Sequence, residues 1–433
     1  MQQLTSVVGI LCLATLLTAC QDESTPKVQT AAAPASPQNV KAVPLAAPQT
    51  TDIYHVEVEA PTLPPLNTST DYISFITPLS GEFTASPPQT RQTRLSDEYW
   101  LNVSGAELSG GIDLPISQAS SVIRIAPRGD TSSGGLIKAD AIAPETISLS
   151  LASAKTGKHE APSWVKSMAD AQALASAGLS DDSSALTLRA DAKPGKYRLR
   201  VKQPLAAQAR YLVNVKEKHS PYQLKLGAPM SIEAEAGQIG LDISLSQGQQ
   251  GLAPRARLIQ AGGESLELAV RQQGETWQAV LTEPLPAAKN NADLSEIQVD
   301  IQTEVDGRPL LRSVKTAFKA YVNSAKLLPQ ADSRWQGDLP TGVDFGLELI
   351  TEGRFGLSAV LTGTNSQGKS VAILKSQAAA WITPDAPRLR LELDPELIAA
   401  SGLRAPFELR ELTLTDQGQM ARLSYQDHGL ILE

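Results

Sequence analysis

Cysteine is almost absent from this chain: the 433 residues contain two, Cys12 and Cys20. Both lie near the start, so a folded body downstream has neither a disulfide framework nor a cysteine metal site and must be held by packing alone. Histidine is nearly as scarce. The four, at 55, 159, 219 and 428, stand singly, with no partner at i+4 and no His-Glu-x-x-His, so no sequence-local metal site is present. Lys and Arg never cluster, and the formal net charge is −8, which removes nucleic acid from the expected partners. Beyond the first 20 residues no apolar run approaches the roughly 20 residues needed to cross a bilayer. No cofactor-binding signature survives scrutiny of its context, so no cofactor is expected.

What the chain does have begins at its start. Val7 to Leu17 is an uncharged apolar run of signal-peptide length, too short to span a membrane. It closes on Leu17-Thr18-Ala19-Cys20, which is similar to a bacterial lipoprotein cleavage box. The resemblance implies removal of residues 1–19 as a lipoprotein signal peptide and lipidation of Cys20. Met1 to Ser6 departs from the usual pattern in carrying no Lys or Arg. Gln21, in place of Asp, implies export to the outer membrane, facing the periplasm or the cell surface. The membrane is therefore an expected partner through Cys20, since a triacylated cysteine supplies the two or more chains that stable anchoring needs.

Residues 20–52 are rich in Ala, Pro, Gln and Thr, with prolines at 26, 34, 37, 44 and 48. Too little apolar bulk is present for a core, so a disordered, lipid-anchored linker is predicted. The period then changes to two: Leu241-Asp242-Ile243-Ser244-Leu245 and Ile297-Gln298-Val299-Asp300-Ile301 alternate apolar with polar, as strands with one wet face do. Turn dipeptides such as Pro194-Gly195, Gln273-Gly274, Asp306-Gly307 and Gln367-Gly368 break them at short intervals. The predicted fold class is all-β, with tandem immunoglobulin-like β-sandwiches over 53–220, 221–326 and 327–433. An aromatic follows a turn glycine at Tyr197, Trp277 and Phe355, about 80 residues apart, roughly one sandwich per repeat. Two helical segments are predicted: an insertion at 163–177, and a short helix after Asp394-Pro395 that Gly402 ends.

Two catalytic-looking matches are judged by context. Gly363-Thr364-Asn365-Ser366-Gln367-Gly368-Lys369-Ser370 fits the phosphate-loop pattern letter for letter. A phosphate loop needs a buried strand before it and a long helix after it. Here alternating residues precede it and Val371-Ala372-Ile373-Leu374 follows, so a hairpin is expected and no nucleotide. Ser163-x-x-Lys166 with Lys155-Thr156-Gly157 imitates a penicillin-recognising site, but in inverted order. Of the five tryptophans, Trp335 alone sits in a polar stretch and is set apart from the core anchors. With Asp181 and Asp182 it forms the candidate binding surface, at predicted domain ends.

Four segments together resemble an uncharacterised family of exported bacterial lipoproteins, a domain-of-unknown-function family. They are Asp97 to Leu108, Asp170 to Ala175, Pro194 to Leu199 and Ala405 to Arg410, and the resemblance runs from about Asp71 to the C-terminus. It implies consecutive immunoglobulin-like sandwiches and carries over no catalytic residue. The expected function is non-catalytic: an anchored envelope protein that binds or assembles a protein or envelope polysaccharide through loops or a sheet edge. The competing expectations are an envelope hydrolase whose carboxylates are brought together only by folding, and a structural spacer.

Overall fold

The computed structural model describes residues 39–53, 70–130, 137–151, 164–247, 251–261, 263–286 and 293–433. Cys20, Ser163 and Lys155-Thr156-Gly157 lie outside them. The protein is nearly all β, built of antiparallel sheets around three hydrophobic cores, with a few short helices. No helix among the described residues is long and apolar enough to cross a membrane.

The first core is enclosed by two sheets. One runs Glu98–Ser104, Arg210–Lys216, Val122–Asp130, Ser184–Leu188, Val165–Ala169; the other runs Ile112–Ile116, Gly195–Val201, Ile147–Leu151. Alternation drives the assembly: Tyr211, Val213 and Val215 point inward from one strand, Tyr197, Leu199 and Val201 from its counterpart. Buried tyrosines keep their polar ends satisfied, the Tyr99, Tyr197 and Tyr211 hydroxyls donating to the carbonyls of Pro115, Lys193 and Asp140.

The middle core is wrapped by one continuous nine-strand path rather than by two separate sheets. It leads from Ser231–Glu233 through Arg308–Tyr321, Ser295–Val305, Arg255–Ile259, Ser265–Gln273, Thr276–Val280, Gln238–Leu245 and Leu224–Pro229 to Arg91–Ser96. Leu224–Pro229 packs against Arg308–Tyr321, so the sheet curls over Leu226, Leu241, Ile297, Val299 and Phe318. The third core lies between a four-strand sheet (Asn39–Pro44, Ala325–Gln336, Leu339–Leu349, Arg388–Glu392) and a five-strand sheet (Ile73–Pro78, Ser370–Ile382, Gly353–Thr364, Arg404–Asp416, Ala421–Leu432). Tyr197, Trp277 and Phe355 each belong to a different core.

Three expectations are corrected. The helix over 163–177 is confined to its second half: Val165–Ala169 is a strand that pairs with Ser184–Leu188, and Ala171–Ser176 is helical, capped by Asp170, which accepts from the Ala173 amide at 2.8 Å. The apolar stripe had helical spacing, but no residue of that helix is buried and Met168 is 47% exposed, so no core rewards a longer helix. The linker over 20–52 is structured in its last part. Asn39–Pro44 is an edge strand beside Ala325–Gln336, Val43 and Leu45 pack on the third core, and the Leu45 and Ala46 amides donate to the carbonyls of Pro329 and Gly429. Finally, residues 70–96 do not belong to the first sandwich. Ile73–Pro78 borders Ser370–Ile382 and Arg91–Ser96 borders Leu224–Pro229, so the chain visits the third and middle units before entering the first at Glu98.

Candidate functional site

Where the first and middle units meet, the junction is locked by a buried ion pair. Arg312 and Glu217 are 2.5 Å apart with both side chains at 0% exposure. The remaining guanidinium donors go to the Tyr222 and Leu311 carbonyls at 2.7 and 2.8 Å and to the Ser220 hydroxyl at 2.9 Å. The Ser117 amide and hydroxyl complete the carboxylate shell. Such a pair is tolerable only because nearly every donor and acceptor is used. Burial, reinforced by the Glu217 charge, pushes the neighbouring Tyr99 hydroxyl well above its ordinary pKa, so it stays a neutral donor. A comparable polar node joins middle and third units, where Gln419 and Ser324 donate to Asp416 at 2.8 and 2.5 Å.

The locked junction leaves a groove of about 820 Å³. One wall is Glu98–Ser104, the outermost strand of its sheet. Tyr99 and Val103 point into the first core, which sends Trp100 and Asn102 to the opposite face. Trp100 packs on none of the three cores, whereas Trp164, Trp277 and Trp335 each do. The other wall is the wet face of the middle sheet. Register sets Arg257 opposite both Gln298 and Glu267, and Arg255 opposite Asp300. Arg257 Nε meets Glu267 Oε1 at 2.7 Å, and Gln298 donates to both Asp300 oxygens at 2.9–3.0 Å. Arg255 is exposed and its side chain has no hydrogen bond or ion pair among the described residues. An aromatic face thus confronts a row of planar donors and acceptors across a concave space.

The edge strand is itself defended. The amides of Glu98, Trp100 and Ser104 donate to the Ser96 hydroxyl at 3.3 Å, the Ser313 hydroxyl at 3.2 Å and Glu107 Oε2 at 2.7 Å. The last of these is half of a capping box that starts the helix Gly105–Gly110.

The residues singled out from sequence are not brought together. Trp335 lies within the strand Ala325–Gln336, not in a loop; it is half-buried on the third core, its indole donating to Ser333 Oγ at 2.9 Å. Its polar neighbours misled because they occupy a strand face on which charges pair. Arg334 and Arg390 both meet Asp344 at 2.6 Å, and Arg388 meets Asp332 at 2.5 Å. That cluster lines a recess of about 340 Å³, but its charges already satisfy one another. Asp181 and Asp182 belong to the first unit. Asp181 pairs with Arg124 at 3.1 Å and accepts from Ser183 at 2.5 Å, and Asp182 takes a left-handed φ of 55° in the turn. Gly363-Ser370 is a hairpin: the strands Gly353–Thr364 and Ser370–Ile382 pair directly, and Asn365 Oδ1 accepts from the Gln367 and Lys369 amides at 2.9 Å. Lys369 turns to Glu82 at 3.1 Å. No cluster of three or more His, Cys, Asp or Glu suited to a metal occurs among the described residues.

Trp100, expected with most of the tryptophans to be a core anchor, lies outside the cores instead: its apolar neighbours Tyr99 and Leu101 hide the alternation, and nothing in that strand announces the opposite wall, which comes from Gly251 to Ser313. Residues 64–217 match the N-terminal domain, and residues 324–433 the C-terminal domain, of a family described as a domain of unknown function, DUF4785. The chain is also similar to the crystal structure of a DUF4785 family protein from Legionella pneumophila, at 17% identity and a TM-score of 0.61, covering 87% of this chain and 98% of that one. This second likeness is one of fold. No curated protein matches the sequence.

Proposed function

We propose that this member of the DUF4785 family, whose N-terminal and C-terminal domains it carries, is an envelope protein anchored through Cys20 that binds an extended partner without catalysis. The groove between the first and middle units is its binding face. The observation that carries the reading is Trp100, held outside every core and facing a row of hydrogen-bonding side chains across about 820 Å³. Ligand clefts have this character: an apolar platform with a few fixed polar groups. The locked Glu217–Arg312 junction supports it, because walls that do not shift lower the ordering cost of binding. The spacer reading accounts for the anchor but gives Trp100 no role.

The test is capture of envelope material by the anchored protein, by its Trp100→Ala form and by a Cys20→Ser form. Trp100→Ala is expected to lose the captured partner, and Cys20→Ser to lose membrane attachment while still binding in extracts. Equal capture by wild type and Trp100→Ala would overturn the groove. Asp300, Glu304 and Glu267 also line it, which keeps a hydrolase as the second reading. Shortening of a captured polymer, abolished by Asp300→Asn or Glu304→Gln, would establish hydrolysis in place of binding alone.

A further inference from the structure

Resting on the groove reading above, we infer that its ligand is an uncharged glycan chain rather than a peptide strand or a polyanion. The groove runs beside a sheet edge, and a peptide would use such an edge by extending the hydrogen-bonded ladder. Successive amides of a strand point alternately to its two sides. Along Glu98–Ser104 the side away from Arg210–Lys216 carries the amides of residues 98, 100, 102 and 104. Three of the four are taken, by Ser96, Ser313 and Glu107. Those acceptors come from three different segments, so an incoming strand would have to displace all of them. An edge consumed in this way is closed to strand addition.

Recognition is therefore left to side chains, and their chemistry is specific. Trp100 offers a broad apolar face and an indole N–H that has no partner among the described residues. Asn102, Gln298 and Asp300 supply acceptors, and Asn102 and Arg255 supply donors. A sugar ring presents the matching surfaces: an apolar C–H face that stacks on an indole, and rim hydroxyls that each donate and accept. The charge balance argues against a polyanion. Arg257 is neutralised by Glu267 at 2.7 Å, Arg255 stands opposite Asp300 in the register, and Glu304 adds a further negative charge. A volume of about 820 Å³ lies high in the roughly 300–1,000 Å³ range of ligand clefts, which gives room for several rings.

The experiment titrates the full chain in detergent with four probes: chitotetraose, maltotetraose, an alternating Thr/Val peptide and dextran sulfate. Binding is read by tryptophan fluorescence and calorimetry. At least one neutral oligosaccharide is expected to bind, weakened about tenfold or more by Trp100→Ala and several-fold by Asp300→Asn, and largely retained in Trp100→Phe. Trp381→Ala, altering the other tryptophan that lies off the cores, leaves affinity unchanged. Trp100-dependent binding of the peptide, or salt-sensitive Trp100-dependent binding of dextran sulfate with no neutral sugar bound, overturns the glycan inference and leaves the groove intact. Binding of the probes that ignores Trp100→Ala in a folded variant overturns the groove reading itself.

Discussion

Removing either member of the Glu217–Arg312 pair tests whether the junction is held as the geometry requires. Arg312→Met leaves a carboxylate with no exposure facing only Ser117, and Glu217→Leu leaves a guanidinium still tied to two carbonyls but without a counter-ion. Each single change therefore costs about 3–5 kcal/mol, the penalty for an uncompensated buried charge. The double variant buries no charge. It orphans chiefly the Ser117 amide and the Tyr222 carbonyl, at about 1 kcal/mol or somewhat more each, so its cost is about 2–3 kcal/mol. The sum of the singles is about 6–10 kcal/mol, and the coupling is the difference, about 3–8 kcal/mol. In thermal unfolding the singles lower the transition of the first two units by roughly 6–20 °C, the double by less than either. Additive behaviour, with the double falling by the sum of the singles, would refute the buried pair. The singles should also weaken groove ligands, because Arg312 and Ser313 lie on its wall.

Four further outcomes follow from local chemistry. Burial raises the Asp97 carboxyl, but hydrogen bonds from Lys216 and from the His219 amide outweigh it and hold the pKa below its ordinary value. The carboxylate form thus stabilises the fold above its unfolded pKa of about 4, and that contribution fades as pH falls through the lower folded value. Asp97→Asn should then unfold earlier than wild type in urea at pH 7, with the gap closing toward pH 3; a pH-independent gap would contradict this. Tyr425 has its hydroxyl buried without a partner and is pushed up to about 12 by burial, with Glu411, Asp427 and Asp52 adding to it. Tyr425→Phe is expected to raise stability by about 1 kcal/mol in denaturant melts, and a loss of that size would show a hidden partner. Asp394→Ala removes the cap that accepts from the Glu396 and Leu397 amides at 2.9 and 3.1 Å, costing the third unit about 1 kcal/mol. A chain starting at residue 54 loses Val43 and Leu45 from the third core and should cost that unit roughly 2–3 kcal/mol, read as a lower midpoint by circular dichroism.

Local regularity told a good deal in advance. The all-β class was legible because a strand's two-residue period is written directly into which residues are apolar, as in Ile297 to Ile301, whose odd positions are buried. Asp394-Pro395 with Gly402 announced a helix because capping is settled within a few residues. The hairpin at Asn365 to Lys369 was equally local, since a side-chain turn and a glycine at φ 76° need no distant partner. Within segment 163–177 the helix held at Ala171–Ser176, but Val165–Ala169 was misread because its helical spacing competed with the ladder offered by Ser184–Leu188, a decision that depends on pairing and not on propensity. The route of residues 39–96 across the third and middle units was invisible for the same reason: an edge strand is chosen by the sheet that accepts it. Trp335 and Trp100 exchanged roles. Polar neighbours suggested an exposed Trp335, yet cross-strand ion pairs cover that face, while Trp100, expected as a core anchor, was left outside. The groove belongs wholly to tertiary structure, because its two walls are separate runs of chain set by Glu217 and Arg312, residues 95 positions apart that mean little until burial forces them to pair.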